Sequence, residues 1–343
     1  MNITFMIGNG FDLNQKLRTG YKDFYAYYRS TNPDDIISRS IEKDYELWAD
    51  LELGLGLLLK DVSDESIDEF LDSKARLESC LTQYLLQESS RFYITDEAQF
   101  ADEFRRKILN FFGDFSTVDK NHYHSVMQST YASVQYQFIT FNYTPILGKM
   151  IDVTQKKYPK FSNRAIGNTS YTDVLCTPHH LHGILGGQDM ILCVDNPSQI
   201  ANESFQTDAR IVDYMVKTNV NKALGEMKTE KAKEIIDKST YVCLFGLSIG
   251  DTDSTWWKYL MEWLKKSKVN RLVIYTRDTS NLQRSGTELI RMRDRSRSSF
   301  LLKSNCKNDE TLKNVRDQII IVTNSQIFSF ENVRTEDSEN GQA

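Results

Sequence analysis

Three of the chain's five histidines lie within four residues, at His179, His180 and His182. A neutral imidazole can bind a metal or accept a proton near neutral pH. The cluster lacks the further ligand, or the glutamate, that a metalloprotease spacing would supply, so we predict no metal site. His182 precedes Gly183, which can fix a loop, and we predict that His182 is a general base. The alternative is that all three imidazoles only form hydrogen bonds within a loop.

A glycine-bearing turn follows the apolar run 3–7 directly, with the sequence GNGFD. Such a turn between a strand and a helix lets the backbone approach a phosphate and points N–H groups at it. The chain has Leu13 where a dinucleotide fingerprint needs a third small residue, and it lacks the Lys-Ser/Thr of a phosphate loop. A conventional redox Rossmann site and a phosphate-loop hydrolase are therefore disfavoured. We predict nucleotide contacts from Gly8, Asn9, Gly10, Phe11 and Asp12.

Polar side chains also follow two later apolar runs. Asn142 ends the run 136–141, and its amide can hold a ribose hydroxyl and a water because it both donates and accepts. After the run 241–245, we predict ribose or phosphate contacts from Gly246, Ser248, Asp251 and Asp253.

Each of these positions has a structural alternative. Asn142 can cap the next helix, with Thr144 as the other candidate cap, and Asp12 can cap the first helix instead of facing a cationic nicotinamide ribose. One of Ser248, Asp251 and Asp253 is expected to cap the helix that follows them. Trp48 and Glu52, one helical turn apart, could form a wall of the site, or Trp48 could simply pack.

The spacing of apolar residues predicts the elements that position these side chains. Between about 36 and 134 they recur every three or four residues, which predicts amphipathic helices. Strands alternating with helices indicate a parallel α/β sheet with helices on both faces, and ligands bind beyond the carboxyl ends of such strands. Apolar runs predict strands at 3–7, 136–141, 190–194, 241–245, 271–276 and 319–322.

This pattern predicts three regions. Residues 1–20 and 130–325 form a Rossmann-like nucleotide-binding core, and residues 21–129 form a large helical insertion after the first strand. The segment 326–343 is predicted to be disordered, because the chain beyond Glu331 is acidic and nearly lacks large apolar residues.

Composition limits the function. The 343 residues are 40% hydrophobic and 26% charged, as in an ordinary soluble protein, and the net charge of -5 does not favour nucleic acid as a partner. The run 291–297, with four arginines, is the only basic cluster. Five scattered cysteines suggest neither disulfides nor a thiolate zinc site. Without a leader or a long apolar window, we expect a cytoplasmic protein that does not bind membranes.

Five motifs together resemble the AbiH family of bacterial phage abortive-infection proteins. They occur in the family's order over about residues 1–275: 7–13 (IGNGFDL), 48–52 (WADLE), 140–144 (TFNYT), 180–183 (HLHG) and 245–253 (FGLSIGDTD).

The same ordered set of motifs is distantly similar to that of sirtuin-like NAD-binding proteins, which implies a sirtuin-like sheet. By this resemblance Asn142 positions the nicotinamide ribose and a water, and His182 is the catalytic base. Gly8 and Gly10 match the phosphate turn, and Ser248 matches a late ribose or phosphate contact. Several defence proteins with this core destroy NAD.

Three departures limit what the resemblance implies. The four-cysteine zinc module of sirtuin deacylases cannot be built here, which disfavours protein deacylation. The first turn has Gly-Asn-Gly-Phe-Asp in place of Gly-Ala-Gly. Sirtuin-like NADases often have Asn-Tyr-Asp where this chain has Asn142, Tyr143 and Thr144, so Asp12 or Asp251 would have to supply the missing acid.

The leading hypothesis is an anti-phage effector that binds NAD, as ligand or substrate, and hydrolyses its N-glycosidic bond as an NAD glycohydrolase. One alternative is a nucleotide-binding sensor or scaffold without turnover. The other is a metal-dependent nuclease using Asp12, Glu52 and Asp251. A phage-derived trigger and a homo-oligomer stay open as partners.

Overall fold

A central β-sheet organises the chain in a computed structural model, which describes residues 1–187, 190–278, 285–305 and 315–336. Eight strands belong to this sheet: β1 (Asn2–Ile7), β3 (Gln135–Thr140), β4 (Ser162–Ile166), β5 (Thr169–Leu175), β6 (His179–His180), β7 (Ser239–Phe245), β8 (Arg271–Thr276) and β9 (Ile319–Thr323). A second sheet has two strands, β2 (Phe92–Ile94) and β10 (Val333–Thr335).

The strand order in the large sheet is β4-β5-β3-β1-β7-β8-β9, and β6 pairs with the end of β3. All of these pairs are parallel except β4 with β5. The predicted α/β class with a mostly parallel sheet is confirmed. Because β1 lies between β3 and β7, the strand connections change direction there, and the carboxyl ends of these three strands lie at one edge of the sheet.

Both faces of the sheet are covered by helices, which explains why all six residues of β1 are buried. One face, with Phe5, packs against α6, α7 and α8. The other face, with Met6, packs against α11, α12 and α13. The helices are α1 (Gly10–Asn14), α2 (Tyr21–Thr31), α3 (Ile36–Lys43), α4 (Leu51–Leu58), α5 (Ile67–Ser90), α6 (Glu97–Leu109), α7 (Thr117–Gln128), α8 (Ile146–Lys157), α9 (Ala209–Met215), α10 (Lys217–Ala223), α11 (Lys228–Asp237), α12 (Ser254–Lys266) and α13 (Gly286–Lys303), and short 3-10 turns occur between some of them.

The region between β1 and β3 is mainly helical, as predicted, but it packs in two parts. Helices α2 to α5 form their own core with residues 192–216, whereas α6 and α7 pack on the sheet. The strand predicted at 190–194 is wrong, because only Val194 forms a bridge, to Val216. Leu192 and Val194 are instead buried in the insertion core.

The segment 326–336, which the sequence predicts to be disordered, has a defined structure. Phe328 is fully buried against Phe5 and Phe11, and β10 pairs antiparallel with β2. Residues 337–343 lie outside the described residues. None of the helices in the described ranges has the length and apolar character that a membrane span needs.

Candidate functional site

A cavity of about 420 Å³ lies at the carboxyl ends of β1, β3 and β7. Its size is within the roughly 300–1,000 Å³ of small-molecule sites. The insertion closes one side, through side chains that include Glu52 of α4 and Leu81 of α5. Nine of the eleven predicted site residues line this cavity: Gly8, Asn9, Asp12, Asn142, His182, Gly246, Ser248, Asp251 and Asp253.

Two glycine turns in backbone contact form one wall. The Gly8 N–H donates to the Phe245 carbonyl oxygen at 3.0 Å, and the Gly10 N–H donates to the Gly246 carbonyl oxygen at 2.8 Å. A Cβ on Gly246, whose φ is +67°, would lie 2.5 Å from the Phe11 nitrogen. The glycines are thus required where the two turns meet. The N–H groups of Gly8 and Gly10, expected to face a phosphate, are already bonded.

The two remaining predicted residues lie outside the cavity. Phe11 is fully buried, with its ring 5.4 Å from that of Phe328, and belongs to the core below the sheet edge. Gly10 lines a neighbouring crevice instead. Asn9 lines the cavity and is anchored to Thr19: its amide donates to the Thr19 carbonyl oxygen at 2.8 Å, and the Thr19 hydroxyl donates back at 2.6 Å.

Asp12 is a buried carboxyl group in the wall of the cavity, only 1% exposed. Its Oδ2 accepts a hydrogen bond from Thr144 Oγ1 at 2.6 Å, whereas Oδ1 has no partner among the described residues. Burial raises the pKa of Asp12 to about 7, although the Thr144 hydroxyl and the Asn142 amide both lower it. Asp12 therefore changes charge near neutral pH.

Asn142 and Thr144 do not cap α8, which begins after Pro145 without a side-chain cap. Asn142 is 8% exposed and lines the cavity, and its backbone carbonyl accepts a hydrogen bond from His180 Nδ1 at 3.2 Å. Its side-chain amide interacts with Asp12, whose pKa it lowers.

The three clustered histidines have different surroundings. His179 Nε2 donates to the Lys228 carbonyl oxygen at 2.7 Å, and neither His179 nor His180 lines the cavity. His182 lines it and packs edge-on against the Phe141 ring at 5.3 Å. Burial, followed by the charges of Lys217 and Lys228, lowers the pKa of His182 well below its ordinary value, so His182 is neutral at pH 7.

A buried ion cluster beside His182 was not anticipated. Lys217 Nζ lies 2.8 Å from Glu52 Oε2, 3.0 Å from Asp253 Oδ1 and 3.0 Å from the Thr252 carbonyl oxygen. Burial lowers the pKa of Lys217, but the charges of Asp253 and Glu52 outweigh this effect and raise it above its usual value. The cluster joins α4, α10 and the turn before α12, and no sequence motif marks Lys217.

Glu52 is a cavity residue and Trp48 is not. Burial raises the pKa of Glu52 above its usual value, with Lys217 opposing the rise and Asp253 adding to it. Trp48 is fully buried and packs on Tyr25, and its indole N–H donates to Ser40 Oγ at 3.1 Å. Trp48 therefore has the packing role.

The turn after β7 supplies the more open wall. Ser248 is exposed, and Asp251 forms an ion pair with Lys303 at 2.7 Å. Asp253 precedes α12 without a side-chain cap bond, because its carboxylate contacts Lys217. Asp50 caps α4 by accepting from the Leu53 N–H, and its other oxygen accepts from the hydroxyl of Thr252.

Most of the ionisable side chains that line the cavity are acidic. Its lining includes five carboxyl side chains and, among described residues, no lysine or arginine; the five are Asp12, Asp50, Glu52, Asp251 and Asp253. No group of three or more His, Cys, Asp or Glu residues in the described part of the chain has metal-binding geometry. The carboxylate triad of the nuclease alternative, with Asp12, Glu52 and Asp251, is therefore not assembled.

A comparison with known proteins gives one assignment. No curated protein matches the chain. The family model described as bacteriophage abortive infection AbiH matches residues 4–275, which include most of β1 and β8, the helical insertion and all the cavity-lining turns. The chain therefore belongs to the AbiH family of bacteriophage abortive-infection proteins.

Proposed function

We propose that this AbiH-family protein acts in phage defence by binding an NAD-like nucleotide in the cavity and hydrolysing its N-glycosidic bond. The observation that carries the proposal is the convergence of nine predicted residues, from turns far apart in sequence, on one cavity of about 420 Å³. Convergence of polar groups on a concave site at a change of strand direction is typical of ligand-binding α/β proteins.

The strand order supports a Rossmann-like core. Numbered by appearance in the chain, β5, β3, β1, β7, β8 and β9 have the spatial order 3-2-1-4-5-6. Dinucleotide-binding sheets have this order, with the ligand at the change of direction. The likeness to sirtuin-like NAD-binding proteins is part of the same proposal and depends on the positions of Asn142 and His182.

The acidic lining suits the cationic end of such a nucleotide. Nicotinamide carries positive charge in NAD, and positive charge moves to the ribose as the bond to nicotinamide breaks. Ionised Asp12 would stabilise that charge, and because its side chain is only 1% exposed, water screens its charge little. Its pKa of about 7 allows a substantial ionised fraction at neutral pH.

The reaction needs few further groups. Asn142 orients the ribose and a water molecule, and neutral His182 accepts a proton from that water as its oxygen bonds to the ribose anomeric carbon. The bond from that carbon to the nicotinamide nitrogen breaks, its electron pair leaves with neutral nicotinamide, and ADP-ribose and a proton are the other products. The depressed pKa of His182 keeps it unprotonated but makes it a weak base.

The test is made in infected cells, because defence effectors are commonly inactive until triggered. NAD and NADP would be quantified in cells expressing the chain, the His182→Ala variant or the Asn142→Ala variant, with and without phage. We expect depletion of a dinucleotide only with the unmodified chain and phage, and a loss of at least about 100-fold in rate for either variant. His124→Ala, an exposed histidine, is the matched control. Phage protection with unchanged dinucleotide pools would contradict the proposal.

A nucleotide-binding sensor without turnover is the second candidate, and the low pKa of His182 favours it, because a weak base contributes little to catalysis. The two candidates differ in one pair of variants. A sensor keeps phage protection in His182→Ala and loses it in Gly8→Asp, which places a side chain against the Gly246 carbonyl oxygen. A hydrolase loses protection in both.

A further inference from the structure

A second concavity lies on the other side of Gly246 and Leu247, which line both spaces. This crevice has a volume of about 1210 Å³ and lies at the carboxyl ends of β7, β8 and β9. It is larger than the cavity, and both spaces are partly open to solvent. Of the predicted site residues, Gly10 and Gly246 line this crevice and the other nine do not.

The crevice carries the opposite charge to the cavity. Four cationic side chains and one carboxyl group line it: Lys16, Arg277, Arg295, Arg334 and Asp278. In the described ranges no carboxylate forms an ion pair with Lys16, Arg277 or Arg295, although the net charge of the whole chain is -5. Arginine side chains without partners in a concave surface are the usual recognition groups for phosphate.

Among the described residues, the cavity lining has no cationic side chain like those of the crevice to bind a phosphate group. The N–H groups of Gly8 and Gly10 are bonded to the turn after β7, and five carboxyl side chains line the cavity without a lysine or arginine among the described residues. A phosphate placed there would meet the negative charge of the ionised carboxylates, which Lys217 and Lys303 offset only in part, and this is unfavourable. An anionic ligand, or the anionic part of one, is therefore directed to the crevice.

The backbone of the crevice is also unusual. Outside glycine, three described residues have positive φ, and two of them, Lys16 at +65° and Asn324 at +55°, line this crevice. Asn324 joins β8 and β9 by donating its N–H to the Thr276 carbonyl oxygen and accepting the Asp278 N–H at its side chain. Lys16 closes helix α1, where the Leu17 N–H bonds to the Asp12 carbonyl oxygen at 3.2 Å, and this left-handed position usually has a glycine, so a lysine is unfavourable there.

We propose that the crevice is a phosphate-binding site, which holds the phosphate groups of a small anionic ligand through Lys16, Arg277 and Arg295. The phosphates can belong to a separate ligand or to the far end of the nucleotide in the cavity. Only the second case depends on the proposed function, and neither needs turnover.

The binding test uses inorganic pyrophosphate as the probe and isothermal titration calorimetry on the full chain. We expect the double variant Arg277→Gln/Arg295→Gln to weaken pyrophosphate binding at least tenfold. The double variant Arg291→Gln/Arg293→Gln is the matched control, because it removes the same two charges from exposed positions of α13 that do not line the crevice. We expect it to change binding less than twofold. Equal losses in both variants, or none in Arg277→Gln/Arg295→Gln, would overturn the proposal.

The variant Lys16→Gly separates a binding role from a structural one. Glycine relieves the positive-φ strain, so the melting temperature should rise, while pyrophosphate binding should weaken severalfold because the ammonium group is lost. A purely structural lysine would show the first effect without the second, which would remove Lys16 from the site and contradict the proposal as stated.

Competition identifies the source of the phosphates. Displacement of pyrophosphate by ADP-ribose means that the crevice extends the nucleotide site, and simultaneous binding of the two means a separate ligand. Both results support phosphate binding. Displacement by a single-stranded oligonucleotide but not by ADP-ribose would instead indicate a nucleic-acid surface and would overturn the proposal.

Discussion

Replacement of Asp12 by asparagine should increase the stability of the protein at neutral pH. The carboxyl group is 1% exposed, and its pKa is raised from 3.8 to about 7. The folded protein therefore holds a proton that the unfolded chain releases, and the stability that this provides at low pH is lost as the pH rises from about 4 to about 7. An amide of the same shape does not titrate and can still accept the Thr144 hydroxyl.

The magnitude follows from the two pKa values. A pKa difference of roughly three units corresponds to about 4 kcal/mol in the free energy of unfolding, with no reduction for solvent screening because the group is buried. The stability difference between Asp12→Asn and the unmodified protein should be near zero at about pH 4 and approach about 4 kcal/mol at about pH 7.5. The raised pKa of Glu52 affects the free energy of unfolding of both proteins in the same way, so its contribution cancels in the difference.

The assay is urea unfolding, followed by circular dichroism, at several pH values between about 4.5 and 7.5. Asp34→Asn serves as the control, because this exposed aspartate loses the same charge at the surface. If Asp12→Asn and the unmodified protein show parallel stability profiles across this range, burial does not raise the Asp12 pKa and the reasoning is refuted.

Three further predictions concern the same region. If ionised Asp12 stabilises the transition state, nicotinamide release should rise with pH through about 7, and a pH–rate profile of Asp12→Asn should lack this ionisation. Lys217→Met should lower the free energy of unfolding by about 3–5 kcal/mol, because two buried carboxyl groups lose their cation; a loss below about 1 kcal/mol would contradict the cluster. Gly246→Ala should cost about 2 kcal/mol or more, since φ is +67° and a Cβ has no room, whereas Gly148→Ala, in open space on a helix, should be neutral or stabilising by about 1 kcal/mol. Equal unfolding midpoints for the two glycine variants would argue against the turn contact.

The positions of Asn142 and Asp253 could be predicted because parallel strands bring their carboxyl ends to one edge of the sheet, whereas His182 was selected from the histidine cluster and follows β6, a strand of two residues that the sequence did not predict. The pattern of apolar runs identified β1, β3 and β7, and the polar residues after them then had to converge. The same logic misplaced Phe11, because the sequence does not show that its side chain turns away from the cavity into the core.

Other features could not be predicted for physical reasons. Lys217 has partners on two elements distant in sequence, so no local spacing marks it. The run 190–194 is apolar because it is buried against the insertion, and a short apolar run does not distinguish a strand from a buried loop. Strands β2 and β10 have three residues each, too few to show an alternating pattern.

The contact between the two glycine turns should restrict which residues homologues can carry at two places far apart in the chain. A side chain at Gly8, Gly10 or Gly246 meets backbone atoms of the opposite turn within 3.0 Å, so neither turn can accept it without moving the other. A homologue with a larger residue at one of these positions must therefore carry a compensating change about 240 residues away, as the separation between Gly8 and the Phe245 carbonyl that it bonds implies. Paired substitutions at these positions would identify relatives in which the wall between the acidic cavity and the basic crevice has been rebuilt.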